Sequence, residues 1–377
     1  MPSTRQPQLC LILMFLALIG SVPLLQAALE LAAGARPQAL EVFRQKPTAP
    51  NLRRYEHDLT EASRVAGWLR PWAQYVLFAG LGDGGGKTLV GRAGWLFYKP
   101  GVQGLTDRPA HGSHTVEEAA AAIVDFRDQL QARGLRLLIV PAPNKESIYP
   151  EYVTRRAAGL GAVPGAGTRA LLQQLAAAGV EVADLFALFA AGKTNATAPL
   201  YLAQDSHWSP AGVELAAQLV ARRITGRGWL QTGTTAYLCR PAPIERVGDL
   251  LDMLQLPRTL TRETVPCRQV VRADDGAPYR DEPGAEVLVL GDSFLRIYAT
   301  DEPGAAGFSA HLARELKQPV LSLINDGGGA TLVRQELCRR PQLLAGKKVV
   351  IWEFVERDLR LATEGWPRVS LPPPAHP

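Results

Sequence analysis

Ser293 closes the run Glu286-Val287-Leu288-Val289-Leu290-Gly291-Asp292-Ser293-Phe294. An unbroken apolar stretch bounded by glycine predicts a buried strand of a parallel sheet, and a helix-compatible segment follows it. Gly291 permits the sharp turn out of that strand. The turn lifts the serine hydroxyl above the carboxyl edge of the sheet, where open α/β sheets hold their ligands. Backbone N–H groups at the start of the next helix are then free to hold a developing oxyanion. The same Gly-Asp-Ser also suits a humbler job, in which Asp292 and Ser293 merely cap that helix. The serine needs a base before it reads as a nucleophile.

Six histidines are available for that role. His57 sits in a charged helical stretch, His111 and His114 in a polar loop, and His376 near the end of the sequence. His311 lies beside Leu312 and Leu316, where core packing is the expected role. His207 stands in Gln204-Asp205-Ser206-His207-Trp208-Ser209-Pro210. Ser209 and Pro210 form a helix start, with a serine N-cap and proline in the first turn. The residues before them are therefore extended, and residues two apart in an extended segment project to one side. Asp205 can then take one imidazole nitrogen of His207 and leave the other for Ser293, the arrangement of an activated serine. Alone, the pair also fits a structural Asp–His bond within a loop; with a strand-end Gly-Asp-Ser the triad reading is the stronger.

Other residues share the predicted carboxyl edge. Asn325-Asp326-Gly327-Gly328-Gly329 follows the strand predicted over 320–324, so Asn325 can offer its side-chain amide to an oxyanion, and Gly328 lets the backbone come close. A flexible glycine turn is the alternative. Asn144 and Lys145, after the strand predicted over 135–141, are expected to meet substrate. Glu353 and Arg357 bracket the end of the last strand and are expected to form an internal ion pair.

The elements that would position these residues alternate. Strands are predicted at 135–141, 180–184, 287–290, 320–324 and 348–354, and helices at 116–133, 168–178, 211–224, 305–316 and 331–338. Such alternation implies right-handed crossovers and an α/β fold built on a parallel sheet flanked by helices. The spacing also predicts a helix over 52–78. A Gly-rich stretch at 80–86 precedes Lys87-Thr88, but no strand enters it and no helix leaves it, so it is not a phosphate loop. Residues 237–267 break the rhythm and read as an insertion. Residues 34–51 read as a linker, 52–366 as one domain, and 367–377, rich in proline, as a disordered tail.

Hydrophobic content of 47% with 20% charged residues fits a globular chain, and a net charge of +5 without a dense Lys/Arg tract argues against nucleic acid as a partner. Residues 1–33 carry an apolar stretch from Leu9 to Leu29 that is long enough to cross a bilayer. A signal-anchor is expected there; a cleaved signal peptide is the alternative, with a poor cleavage site before Ala28. Either places the body outside the cytoplasm. Of four cysteines, Cys10 falls in the apolar span, Cys239 and Cys267 are spaced to pair in an oxidising compartment, and Cys338 is left over. Three unpaired thiols are the alternative. No Cys/His cluster with metal spacing is present in the sequence, and no cofactor is expected.

The motifs together resemble the SGNH-hydrolase-like alginate O-acetyltransferases, the AlgJ/AlgX group. The resemblance runs from about Leu52 to Leu361. It rests on Gly94-Trp95-Leu96-Phe97-Tyr98, on the Pro-x-Lys and Tyr-Pro between Pro143 and Pro150, and on Asp205-Ser206-His207-Trp208. Gly291-Asp292-Ser293-Phe294, Gly327-Gly328-Gly329 and Trp352-Glu353-Phe354 followed by Glu356-Arg357 complete it. The Asp–His pair precedes the serine, as in that group. The resemblance implies an SGNH-like fold, with Ser293 as nucleophile, His207 as base and Asp205 as its orienter. It implies transfer of acetyl from a membrane-bound O-acyltransferase partner, through an acetyl-serine, to an exported polysaccharide. The expected location is the periplasm, anchored to the inner membrane. Too few residues follow the last strand for the carbohydrate-binding module of longer members, which favours the shorter, anchored type. Asn325 replaces a basic residue seen in some members. Two other readings remain open on sequence: a carbohydrate acetylesterase using the same triad, and a non-catalytic polysaccharide-binding scaffold.

Overall fold

The computed structural model describes residues 5–106, 116–195, 198–257 and 262–373. His111, His114 and His376 lie outside them. The chain divides into an N-terminal unit, Met1–Asp83 with Leu254–Leu260, and a larger unit formed by the remainder.

The N-terminal unit is helical. Helix α1 spans Arg5–Ala32, and within it Leu9–Ala32 is long and apolar enough to cross a membrane. The helix predicted over 52–78 is two helices, α2 (Ala49–Ala62) and α3 (Arg64–Leu81). Ser63 divides them. Its backbone is extended and its side chain accepts from the Ala66 N–H, so a hydroxyl inside an apolar-periodic stretch has started a new helix instead of continuing the old one. The linker region holds the short 3-10 helix Gln38–Phe43.

The larger unit is built on a parallel five-stranded sheet. In chain order the strands are β1 (Thr88–Val90), β2 (Leu96–Tyr98), β3 (Arg136–Ala142), β4 (Glu181–Val182), β5 (Tyr237–Pro241), β6 (Ile244–Arg246), β7 (Glu263–Val265), β8 (Arg268–Arg272), β9 (Val287–Gly291), β10 (Leu321–Ile324) and β11 (Val349–Val355). The main sheet has the order β10-β9-β11-β3-β4, all parallel. The Gly-rich stretch leads into the antiparallel hairpin β1–β2, not into a phosphate loop.

Alternation along the strands feeds two cores. Val287, Val289, Val349 and Ile351 pack with the helices Pro210–Gly226 and Phe308–Leu316. Leu288, Leu290, Val350 and Trp352 pack on the other face with Val116–Gln131, Ala166–Ala177 and Leu332–Arg339. With both faces covered, the central strands can be apolar throughout, which is why they read as unbroken runs.

Residues 237–267 supply β5, β6, the helix Asp249–Leu254 and β7. Cys239 and Cys267 are both free thiols; β5 pairs Cys239 with Val270, and the Cys239 sulfur accepts from Arg314 Nη1 at 2.7 Å. The expected disulfide is therefore absent. The proline-rich end is held as far as it is described. Arg133 donates to the carbonyls of Leu371 and Pro372, Leu371 N–H donates to Gln129, and Arg334 donates to the carbonyl of Pro367. Proline has no N–H but keeps its carbonyl, so most of these bonds are accepted by the segment, with Leu371 N–H the donor in one.

One glycine fixes the approach of the histidine loop. A Cβ on Gly212, in the first turn of Pro210–Gly226, would lie 2.4 Å from the Leu200 carbonyl oxygen and 3.1 Å from Trp208 Cβ. Gly212→Ala is expected to lower stability by about 1–3 kcal/mol, the range for overpacking a tight site. Urea denaturation of both chains checks this.

Candidate active site

Val287–Gly291 ends directly in the one-turn helix Ser293–Arg296. Asp292 Oδ1 accepts from the Phe294 N–H at 2.9 Å, so the capping role falls to Asp292 alone. The Ser293 hydroxyl lies 2.9 Å from His207 Nε2. His207 Nδ1 lies 2.7 Å from Asp205 Oδ1, and the same oxygen accepts the His207 N–H at 3.0 Å. A carboxylate only accepts, so Nδ1 carries the hydrogen and Nε2 is left to take the serine proton. The structure thus brings Ser293, His207 and Asp205 together in the order hydroxyl, imidazole, carboxylate.

The loop that carries this pair is fixed on both sides. Ser209 caps the helix that follows, accepting from Gly212 N–H, while its hydroxyl donates to the Pro199 carbonyl. Trp208 is fully buried between Phe294 and Phe308, and its Nε1 donates to the Phe294 carbonyl at 3.0 Å. The histidine loop is thereby bonded directly to the turn that carries the serine.

Asp205 is wholly buried, and its second oxygen accepts from Arg246 Nε at 2.8 Å and from the Asp249 N–H at 3.3 Å. Asp249 receives the Ser206 N–H and hydroxyl at 2.6 and 2.5 Å, and its Oδ2 lies 3.6 Å from His207 Nδ1. Burial opposes the charge on Asp205, yet the His207 imidazole and the Arg246 guanidinium hold its carboxyl well below the usual range. Burial likewise opposes charge on His207, but the charge and hydrogen bond of Asp205, followed by the charge of Asp249, raise its pKa above the ordinary 6.5. Asp205, His207 and Asp249 bring three possible ligand atoms within 4.8 Å of one another, a spacing that could hold a metal ion. Arg246 on one carboxylate and Ser206 on the other already use those lone pairs, so the cluster fits a charge-balanced hydrogen-bond relay better than a cation site.

The other expected contacts differ. Lys145 does not face substrate. It is buried, and its three ammonium hydrogens match three carbonyls: Leu96 at 2.6 Å, Ala203 at 2.8 Å and Asp205 at 3.0 Å. It also sits over the Trp95 and Phe97 rings, and burial lowers its pKa to about 7. Lys145 therefore ties the β2 hairpin to the histidine loop.

Asn144 is bound to the end of β11. Its N–H donates to Glu356 Oε2, its Oδ1 accepts from the Arg357 N–H, and it lines a cavity of about 50 Å³ with Thr168 and Arg357. Asn325 donates its side-chain amide to Glu336 at 3.1 Å, and the Gly328 N–H donates to the Asn325 carbonyl. The Asn325 amide is thus engaged by the following helix, and the Gly328 N–H within its own turn. The Ser293 and Gly329 N–H groups make no such bond among the described residues, and Gly329 abuts Asp292 while its carbonyl accepts from Trp352 Nε1.

Glu353 and Arg357 form no ion pair. Glu353 accepts from the Asp292 N–H, and burial with the neighbouring Asp292 charge pushes its pKa well above the carboxylate range. Arg357 lies over the rings of Tyr98 and Phe294.

Sequence reasoning missed Arg246 and Asp249, because they lie in the segment read as an insertion. The signal available was Gly248-Asp249 at a helix start beside an arginine.

A family model described as "SGNH hydrolase-like domain, acetyltransferase AlgX" matches residues 88–356. The chain belongs to this family. Among curated relatives, a probable alginate O-acetylase AlgJ of Pseudomonas aeruginosa is 28% identical over 316 residues, covering 78% of this chain and 75% of the relative. The corresponding protein of Azotobacter vinelandii is 26% identical over 308 residues, 77% and 74% of the two chains. The solved O-acetyltransferase domain of Pseudomonas putida AlgJ superposes with a TM-score of 0.58 at 24% identity, covering 73% of this chain and 92% of that one. Pseudomonas aeruginosa AlgX gives a TM-score of 0.55 at 18% identity, over 71% and 61%. The AlgX-type fold, a parallel sheet flanked by helices with an apolar N-terminal helix before it, is the fold of this chain.

Three outcomes follow from the geometry. A base must be neutral to accept a proton, so a raised His207 pKa places the acid limb of kcat/KM above pH 6.5. Arg246→Met removes a cation that faces Asp205 and so strengthens the pull of Asp205 on imidazolium. The acid limb of an ester-cleavage pH profile is expected to move further up. Lys145→Met strands three buried carbonyls and is expected to cost about 3 kcal/mol or more in urea denaturation.

Proposed function

We propose that this chain is an O-acetyltransferase that esterifies hydroxyls of an exported polysaccharide through an acetyl-serine on Ser293. The observation that carries the reading is the 2.9 Å contact between Ser293 Oγ and His207 Nε2, backed by the 2.7 Å contact from Nδ1 to Asp205. Membership of an acetyltransferase family and the names of the AlgJ relatives support the choice of acyl group and of a polysaccharide acceptor, alginate or a related polymer.

In the first step His207 Nε2 takes the Ser293 proton as Oγ attacks the acetyl carbonyl of the donor. The imidazolium returns that proton to the departing donor group, leaving Ser293 acetylated. In the second step Nε2 takes the proton of a sugar hydroxyl, the sugar oxygen attacks the acetyl carbon, and Ser293 Oγ leaves and recovers the proton. The Ser293 N–H, at the start of a helix, would bind the oxyanion in both steps, and the Gly329 N–H, unbonded among the described residues and next to Asp292, would serve as the second donor. Asp205 keeps the imidazole in the productive tautomer and stabilises the imidazolium. Water in place of the sugar would make the site an acetylesterase, so exclusion of water decides the outcome.

The apolar helix Leu9–Ala32 supports an anchor in the inner membrane with the body in the periplasm. A membrane-bound O-acyltransferase would suit such an anchored enzyme as acetyl donor.

The test uses the full chain in detergent with a chromogenic acetyl ester. Ser293→Ala and His207→Ala are each expected to lower turnover by three orders of magnitude or more while unfolding as wild type does. Adding uronate polymer should then yield esterified sugar. Equal turnover in all three chains would sink the triad and favour a polysaccharide-binding scaffold; turnover without any sugar ester would favour the esterase.

A further inference from the structure

Helix α3 (Arg64–Leu81) is an apolar element with almost nothing packed on it. Among its residues only Val65 is buried. Trp68 is 71% exposed, Trp72 52%, Val76 65% and Leu81 78%, and Leu69 and Leu77 are exposed with them. Arg64 and Arg70 are its only charged residues, and it has no carboxylate. An apolar face of this size costs free energy in water and marks a surface that something covers.

The contacts of α3 with α1 indicate what covers it. Gln26 of α1 donates to the Ala62 carbonyl at 3.2 Å and accepts from the Val65 N–H at 3.4 Å. The start of α3 is therefore fastened to α1 at Gln26, six residues before Ala32, the end of the apolar span. Six residues of helix rise about 9 Å. The headgroup layer on one side of a bilayer is roughly 5–8 Å deep beyond a hydrocarbon core of about 30 Å. If α1 crosses a bilayer, Gln26 lies near the boundary between hydrocarbon and headgroups, and α3 leaves from that depth. Tryptophan is the residue type favoured at this boundary, and arginine pairs with anionic headgroups. An exposed apolar helix with two tryptophans, two arginines and no acid has the chemistry of a helix lying in the interface.

We infer that α3 rests in the headgroup layer of the bilayer that α1 spans, with Trp68 and Trp72 at the hydrocarbon boundary and Arg64 and Arg70 on anionic phospholipid. The inference rests on the anchored reading proposed above and adds a second membrane contact to it. The occupant is lipid and not a partner protein, because the contact at Gln26 sets the start of α3 at membrane depth whether or not a partner is present.

The chain offers a selective probe. It holds seven tryptophans, and the apolar span contains none of them. The full chain is reconstituted into vesicles of phosphatidylethanolamine and phosphatidylglycerol, with acyl chains either plain or brominated. Brominated chains quench only tryptophans at the hydrocarbon boundary. Wild type is expected to lose emission in brominated vesicles, and the Trp68→Phe/Trp72→Phe variant to lose that quenching while still cleaving acetyl ester. A chain that floats with the vesicles after a carbonate wash but shows no quenching overturns the inference and leaves the anchor standing. Quenching that persists in the double variant also overturns it, since another tryptophan would then be the one in contact. A chain that fails to float overturns the anchor, and this inference with it.

Discussion

The buried carboxylate of Asp205 is the constraint around which the site is arranged. An isolated charge at such a position would be several kcal/mol out of balance. Here one oxygen takes two bonds from His207, and the other takes Arg246 and the Asp249 N–H. Its own backbone carbonyl takes Lys145. Each partner comes from a different part of the chain: the histidine loop, β6, the start of Asp249–Leu254 and the segment after β3. Satisfying one anion therefore fixes four segments relative to one another. It also fixes the tautomer of His207, and with it the direction in which the free nitrogen points.

Beneath the serine the chemistry is reversed. Glu353 and Asp292 lie together under the turn, and burial raises the pKa of both, most strongly for Glu353. Two acids at the end of a sheet, close to a nucleophile, would repel the oxyanion if both were ionised. Burial disfavours charge on both and so lessens that repulsion, while the Glu353 carboxyl receives the Asp292 N–H as part of the turn. The field at the serine is thus shaped from below by suppressing charge and from the side, at Asp205, by balancing it.

The central strands were legible because a doubly covered parallel sheet demands continuous apolar runs, and these had the right length. Ser293, His207 and Asp205 were legible for a related reason: each is tied to an element boundary that the sequence marks, Gly291 in one case and Ser209-Pro210 in the other. What was not legible at the carboxyl edge of the sheet shares one cause. The roles of Lys145, Asn144 and Asn325 depend on which hydrogen-bond partner lies within reach, and that is a property of tertiary packing. Lys145 reads as facing ligand because it follows a strand at the carboxyl edge of the sheet. Three carbonyls supplied the alternative. Arg246 and Asp249 were hidden differently, since they lie where the strand–helix alternation fails and local pattern gives no face to assign. The division at Ser63 turned on a single hydroxyl bonding its own backbone, which apolar periodicity does not register.

The sheet order has a bearing on when the site can exist at all. β11 is the last of the described strands along the chain, yet it lies at the centre, with β9 and β10 on one side and β3 and β4 on the other. Until it is in place, the strand that carries Ser293 and the strand that precedes Lys145 belong to two separate edges. A chain without β11 can hold Ser293, His207 and Asp205 and still have no continuous sheet beneath them. The alignment of Ser293 with the rest of the sheet therefore depends on a strand that follows all three residues of the candidate site in the chain.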